Sequence, residues 1–149
     1  MQLQAGNPCP NFSGIIQNGN RVSLSDFAGK KLVLYFYPKD DTPGCTAESC
    51  DLRDNYKTLQ KQGYAVLGVS PDGPKKHIKF IEKYNLPFDL IADEDHSVCE
   101  QFGVWVEKSM YGRKYMGVAR TTFLVDEKGL ITEIIDKVDT ANHSSQILG

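Results

Sequence analysis

Leu32-Val33-Leu34-Tyr35-Phe36-Tyr37, followed by Pro38-Lys39-Asp40-Asp41-Thr42-Pro43-Gly44-Cys45, is the stretch on which the reading of the fold turns. The first six residues form a continuous apolar and aromatic run, the pattern of a buried strand. Pro38 has no N–H for the ladder and ends it. From Thr46 through Lys61 there is no Gly or Pro and helix formers abound, so a helix is predicted there, closed by Gly63. Cys45 then falls in the first turn of that helix. The free N–H groups and positive dipole end found there favour a thiolate, which is the nucleophilic form of the side chain.

Working outward, Ser13-Gly14-Ile15-Ile16 and Arg21-Val22-Ser23 flank Gln17-Asn18-Gly19-Asn20 and read as a small hairpin around an Asn-Gly turn. Tyr64 to Ser70 is a second buried strand, stopped by Pro71. Lys75 to Tyr84 carries Ile78 and Ile81 at helical spacing with lysines on the other face. Pro87 interrupts before a short strand, Phe88 to Ile91. Asp95 to Phe102 is a shorter helix closed by Gly103. Arg120 to Val125 and Leu130 to Ile135 flank the turn Asp126-Glu127-Lys128-Gly129, and a last helix is predicted from Ala141 to Leu148. A βαβ unit joined to a ββα unit makes an α/β fold, with a mixed central sheet, helices on both faces and a small N-terminal hairpin. No repeat, low-complexity tract or linker divides the chain, so residues 1–149 are read as one domain.

The chain has 149 residues, enough for one sizeable core, and its 40% hydrophobic and 24% charged content is that of an ordinary globular protein. A net charge of −2 and a pI near 5.9 give no electrostatic reason to expect nucleic acid or an anionic membrane as partner. No apolar run approaches the roughly 20 residues that a membrane helix needs. Met1-Gln2-Leu3-Gln4-Ala5-Gly6 lacks the basic and apolar regions of a signal peptide, which points to a cytoplasmic protein. The four cysteines, Cys9, Cys45, Cys50 and Cys99, then read as free or catalytic thiols in a reducing compartment. Their spacing, with His96 near Cys99, matches no zinc pattern, so no metal is expected.

Pro38, Thr42 and Cys45 fit the pattern Pro-x-x-x-Thr-x-x-Cys, and the longer string Pro43-Gly44-Cys45-Thr46-Ala47-Glu48-Ser49-Cys50 extends it. Gly117-Val118-Ala119-Arg120-Thr121-Thr122-Phe123-Leu124-Val125-Asp126 is a second, separate motif in the expected order. Together these resemble the peroxiredoxins, and within them the peroxiredoxin Q or bacterioferritin comigratory branch. The resemblance spans nearly the whole chain. It implies a thioredoxin-like fold and a thiol peroxidase that needs no cofactor. It also implies that Cys45 is the peroxide-attacking nucleophile, that Thr42 hydrogen-bonds the peroxide, and that Arg120 stabilises thiolate and peroxide oxygens. Glu48 matches an acidic residue one turn into the helix, placed either to hold Arg120 or simply to complement the helix dipole, with Pro38, Pro43 and Gly44 in supporting places. Cys50 is implied to resolve the sulfenic acid, and a thioredoxin-like protein to reduce the resulting disulfide. A monomer or weak homodimer is expected.

Each of these residues also has a plainer reading. Cys45 as a core hydrophobe, Thr42 as a helix cap, Arg120 as a solvated strand residue and Cys50 as a packed helix cysteine are all compatible with the sequence. Cys99 is an alternative resolving thiol or a structural one, and Cys9 is assigned no role. Geometry constrains the cysteine pair. Positions i and i+5 of an ideal helix are ~8.6 Å apart at Cα, whereas a disulfide requires less than about 7 Å. If Cys45 and Cys50 pair, the helix between them must unwind. Two other functions remain open on the same fold. One is a thiol–disulfide oxidoreductase, disfavoured because the chain has no Cys-x-x-Cys. The other is a non-enzymatic peroxide sensor, which would react once rather than turn over.

Overall fold

The computed structural model describes residues 3–149, so Met1 and Gln2 of the N-terminal stretch considered above lie outside the described residues. In chain order, β1 (Ser13–Ile15) and β2 (Arg21–Ser23) form the expected hairpin, with Gly19 supplying the positive φ of its turn. β3 (Lys31–Phe36) leads through the 38–42 loop into α1 (Pro43–Asp54) and α2 (Tyr56–Lys61). Then come β4 (Tyr64–Ser70), α3 (Pro74–Tyr84), β5 (Asp89–Ala92) and α4 (Ser97–Gln101). The hairpin β6 (Trp105–Met110) and β7 (Arg113–Val118) precedes β8 (Thr121–Val125), β9 (Ile131–Ile135) and α5 (His143–Leu148).

Five strands make one mixed sheet in the order β5-β4-β3-β8-β9. β3 runs parallel to β4 and antiparallel to β8, so the strand nearest the loop of Cys45 is central and paired on both sides. Its side chains alternate between two cores. Leu32, Leu34 and Phe36 join Phe12, Val98, Phe102 and Phe123 on one face. Val33, Tyr35 and Tyr37 join Leu52 of α1, Leu59 of α2, Phe80 of α3 and Ile147 of α5 on the other. A strand buried on both faces reads as an unbroken apolar run, which is why its sequence shows no period-2 alternation. Both tyrosines satisfy their hydroxyls while buried: Tyr35 pairs with Ser49 at 2.9 Å, and Tyr37 donates to Asp40 at 2.6 Å. Tyr35 also explains the glycine opposite it on β4, since a Cβ on Gly68 would stand 2.9 Å from the Tyr35 ring and 2.6 Å from Leu90.

The mixed sheet with helices on both faces is thus as expected, and it is the thioredoxin-like arrangement. Three local expectations differ. The helix predicted through Lys61 breaks at Asn55, whose side chain donates to the carbonyl of Asp51 at 2.9 Å in competition with the helical ladder. Arg120 lies not in a strand but in the two-residue link between β7 and β8. The β6–β7 hairpin had no counterpart in the sequence reading. Most of its residues are exposed or half-buried on both faces, so no apolar period marks it, and its Tyr111-Gly112 turn takes positive φ at both positions.

Candidate active site

Thr42 is extended and opens α1, Pro43 takes the first helical position, and Cys45 is the third helical residue. Cys45 Sγ therefore sits among the N–H groups that the helix leaves unpaired. The residue is 1% exposed. Arg120 Nη2 donates to the sulfur at 3.3 Å, and Nη1 of the same guanidinium donates to Glu48 Oε1 at 2.7 Å. One planar fork thus spans a thiol and a carboxyl one turn apart on α1, the geometry in which arginine differs from lysine. A Cβ on Gly44 would lie 3.2 Å from Arg120 Nη2, so glycine makes room for the guanidinium as well as for a substrate.

The loop before Cys45 is braced from α3. Asp41 adopts a left-handed conformation at φ 57°, held by Lys83 Nζ at 2.8 Å and by the Tyr84 hydroxyl at 2.7 Å. The N–H of Asp40 donates to Asp72 at 2.7 Å, and its carboxyl meets His77 Nδ1 at 2.6 Å. His77 Nε2–H donates to the carbonyl of Ile91 at 2.9 Å, so a single proton lies between Nδ1 and Asp40. Thr42 is anchored too: its hydroxyl donates to the carbonyl of Lys39 at 2.8 Å. With its hydrogen committed to Lys39, Oγ1 is left as an acceptor.

Glu48 is wholly buried, so it is not a solvated carboxylate. Burial raises its pKa to about 7 against the opposing charge and hydrogen bond of Arg120. Burial likewise works against the charge on Arg120, but its contacts with Cys45 and Glu48 outweigh burial and raise its pKa, so the guanidinium stays protonated. Lys108 on β6 is a further cation in this field: burial and Arg120 lower its pKa while Cys45 opposes them. The other oxygen of Glu48 finds no hydrogen-bond partner and lies 3.5 Å from His143 Nε2. Neither Lys108 nor His143, nor the Asp40–His77 brace, was read from the sequence. The one signal for the brace was the unusual run Lys39-Asp40-Asp41 in so short a loop.

Cys45 and Cys50 lie on the same uninterrupted helix, both as free thiols. Cys50 is half-buried, and burial raises its pKa, with Arg53 opposing. Cys9 and Cys99 belong to the core on the far face of the sheet from Cys45. Burial pushes Cys9 up to about 12, and Cys99 higher still, where Asp93 adds to the effect. His96 stacks on Trp105 with ring centroids 3.8 Å apart, an ordinary packing role for both.

Comparison with known proteins identifies the family. The model of the AhpC/TSA family matches residues 5–134. The chain is 50% identical over 146 residues to peroxiredoxin Bcp of Escherichia coli K12, covering 98% of this chain and 94% of that one. It is 49% identical over 149 residues to a putative peroxiredoxin bcp of Coxiella burnetii, covering 100% and 99%. Among solved structures, peroxiredoxin Q of Xanthomonas campestris superposes with a TM-score of 0.86 at 39% identity over 92% of this chain and 87% of that one. A cysteine-to-serine mutant of PrxQ from Xylella fastidiosa superposes with a TM-score of 0.92 at 32% identity, covering 99% and 94%. A family match across most of the length, joined to relatives that are half identical from end to end, places the chain in the AhpC/TSA family, among the peroxiredoxins of the Q or Bcp type.

Proposed function

We propose that this thiol peroxidase works through Cys45, with Arg120, Thr42 and the helix N-terminus as its peroxide site and Cys50 as its resolving thiol. The observation that supports this most strongly is the contact of Arg120 Nη2 with Cys45 Sγ at 3.3 Å, at the start of α1. The Cys45 thiolate attacks one peroxide oxygen. The O–O bond breaks, and the departing oxygen takes a proton to leave as water or an alcohol while sulfur becomes a sulfenic acid. Negative charge builds on the leaving oxygen, where the Arg120 guanidinium and the unpaired N–H groups of α1 are already aimed. Thr42 Oγ1 accepts the hydroperoxide O–H and so orients the attacked oxygen. Glu48 holds Arg120 in register, and Pro38, Pro43 and Gly44 shape the loop around it.

Cys50 then displaces hydroxide from the sulfenic sulfur, giving the Cys45–Cys50 disulfide and water. α1 unwinds locally for this, because ~8.6 Å must close below about 7 Å. A thioredoxin-type dithiol regenerates both thiols by exchange. We further propose that the 149 residues act as one domain, as a monomer or weak homodimer, in the reducing cytoplasm. Among the described residues no helix is long and apolar enough to cross a membrane. Steady-state consumption of hydrogen peroxide with thioredoxin, its reductase and NADPH tests the reading. Many turnovers are expected from the native protein and none from Cys45→Ser. A single turnover of native protein would favour a sensor, and activity retained by Cys45→Ser would overturn the assignment.

A further inference from the structure

Beneath the proposed peroxide site lies a buried group that the cycle above does not use. His143 of α5 is wholly buried, and its Nδ1 meets Gln146 Oε1 at 2.7 Å. Gln146 is fixed in orientation, because its amide nitrogen donates to the carbonyl of Lys137 at 2.9 Å and its oxygen accepts the N–H of Asp139 at 2.9 Å. Nδ1 must therefore carry a hydrogen, and in the neutral ring Nε2 presents a lone pair. The Thr122 hydroxyl donates to that lone pair at 2.8 Å. Facing the same nitrogen, 3.5 Å away, is Glu48 Oε2, the buried oxygen without a hydrogen-bond partner. An ionised Oε2 would set its lone pairs against that nitrogen's lone pair in a low dielectric, whereas a proton on Oε2 turns the contact into a hydrogen bond that shares Nε2 with the Thr122 hydroxyl.

We infer that His143 is a positioning residue for Arg120: Nε2 accepts the proton of a neutral Glu48 carboxyl, which leaves Oε1 free to hold the guanidinium without neutralising it. The inference rests on Arg120 being the partner of the Cys45 sulfur, as proposed above. Two directions agree on where the proton sits. Burial raises Glu48 to about 7, with Arg120 pulling the other way and Asp51 adding to the rise. Burial lowers His143, as does the charge of Arg120, against Gln146, Asp51 and Asp139. Tyr35 from β3 also faces Glu48, and Cys45 lies one turn before it on its own helix. A neutral carboxyl leaves the full charge of Arg120 for the sulfur and the departing oxygen. Ionisation of Glu48 above neutral pH would pair that charge and weaken its pull.

The test follows the Glu48 carboxyl by carbon NMR in the full-length protein labelled at glutamate side-chain carboxyls, with Glu48→Gln to identify the resonance. Alongside it, the rate constant for hydrogen peroxide is measured across pH. In the native protein the carboxyl titrates near neutrality, and the rate constant falls as it ionises. In His143→Gln an amide N–H faces Oε2 instead of a lone pair, so the midpoint drops by about one pH unit. In Thr122→Val the lone pair loses its competing donor, so the midpoint rises. The fall in rate constant moves with the midpoint in both variants. A midpoint unmoved in either folded variant, or a Glu48 ionised throughout, overturns the shared proton. A midpoint that moves while the rate profile stays fixed overturns the Arg120 reading beneath it.

Discussion

Arg120 Nη2 lies 3.3 Å from Cys45 Sγ although 75 residues separate the two along the chain. The guanidinium reaches the sulfur from a two-residue link between strands and is steadied by Glu48 at 2.7 Å, so its aim depends on both contacts at once.

Arg120→Lys keeps the charge but cannot make both contacts from one planar group. We expect peroxide reduction to slow by about tenfold to a hundredfold, the scale of losing an aligned donor. Stopped-flow measurement of the second-order rate constant checks this, and an unchanged constant would place Arg120 outside the site.

Gly44→Ala separates activity from stability. The added Cβ would sit 3.2 Å from Arg120 Nη2 and push the guanidinium off the sulfur. Alanine is the better helix former by about 1 kcal/mol, so thermal stability should hold or rise. The peroxide rate constant should nonetheless fall by about tenfold. Melting curves and kinetics on the same sample check the pair of outcomes.

Cys50→Ser should complete one fast round of peroxide reduction and then stop, because the Cys45 sulfenic acid has no partner to condense with. Continued peroxide should drive it to the sulfinic form. Mass spectrometry after a single equivalent of peroxide distinguishes the sulfenic stop from a disulfide to some other thiol. Normal multiple turnover with a thioredoxin-type reductant would remove Cys50 from the cycle.

Hydrogen exchange should report the unwinding of α1. Amides from Thr46 to Leu52 are expected to exchange faster in the disulfide form than in the reduced form, while Leu32 to Tyr37 stay protected in both. Ser144 should join the fast group, because its N–H donates to the Asp51 carboxylate at 2.6 Å and loses that partner when the turn opens. Equal protection of Thr46 to Leu52 in the two states would exclude a Cys45–Cys50 disulfide on geometric grounds.

Cys9 and Cys99 should resist alkylation in the native state at mildly alkaline pH. Both are buried, and burial raises the pKa of each, Cys9 to about 12. A thiol is unreactive until it ionises, so their ionisation lies above the pH at which Cys50 begins to label. Timed iodoacetamide labelling with mass spectrometry checks the order, and both buried thiols should label once denaturant is added.

What the sequence revealed and what it hid divide along the range of the contacts. Cys45, Glu48 and Cys50 share one helix, so their spacing is a local property and was readable from residue order alone. The core strand was equally plain, because burial on both faces leaves a run of large apolar side chains. Arg120 carried no local mark. Its place came only from resemblance to the peroxiredoxins, and its strand was misread because the chain turns there, between two short strands. The β6–β7 hairpin was hidden for the opposite reason: with little of it buried, its residues obey no period. The kink at Asn55 turns on one side-chain hydrogen bond. His143 reaches Glu48 only because α5 packs on α1, a tertiary fact that no window of residues contains.

The alternation of side chains along β3 has a last consequence. It assigns the four thiols to two compartments, Cys9 and Cys99 on one face of the sheet and Cys45 on the other with α1, which also carries Cys50. If Cys45 is the thiol that is oxidised, as proposed, the five-stranded sheet stands between its sulfenic acid and both distant thiols. On the proposed cycle, the helix partner Cys50 is on the same side of the sheet as Cys45, and the two distant thiols are not. On that reading, failure of the cycle would leave one overoxidised sulfur in a folded chain rather than a mispaired one.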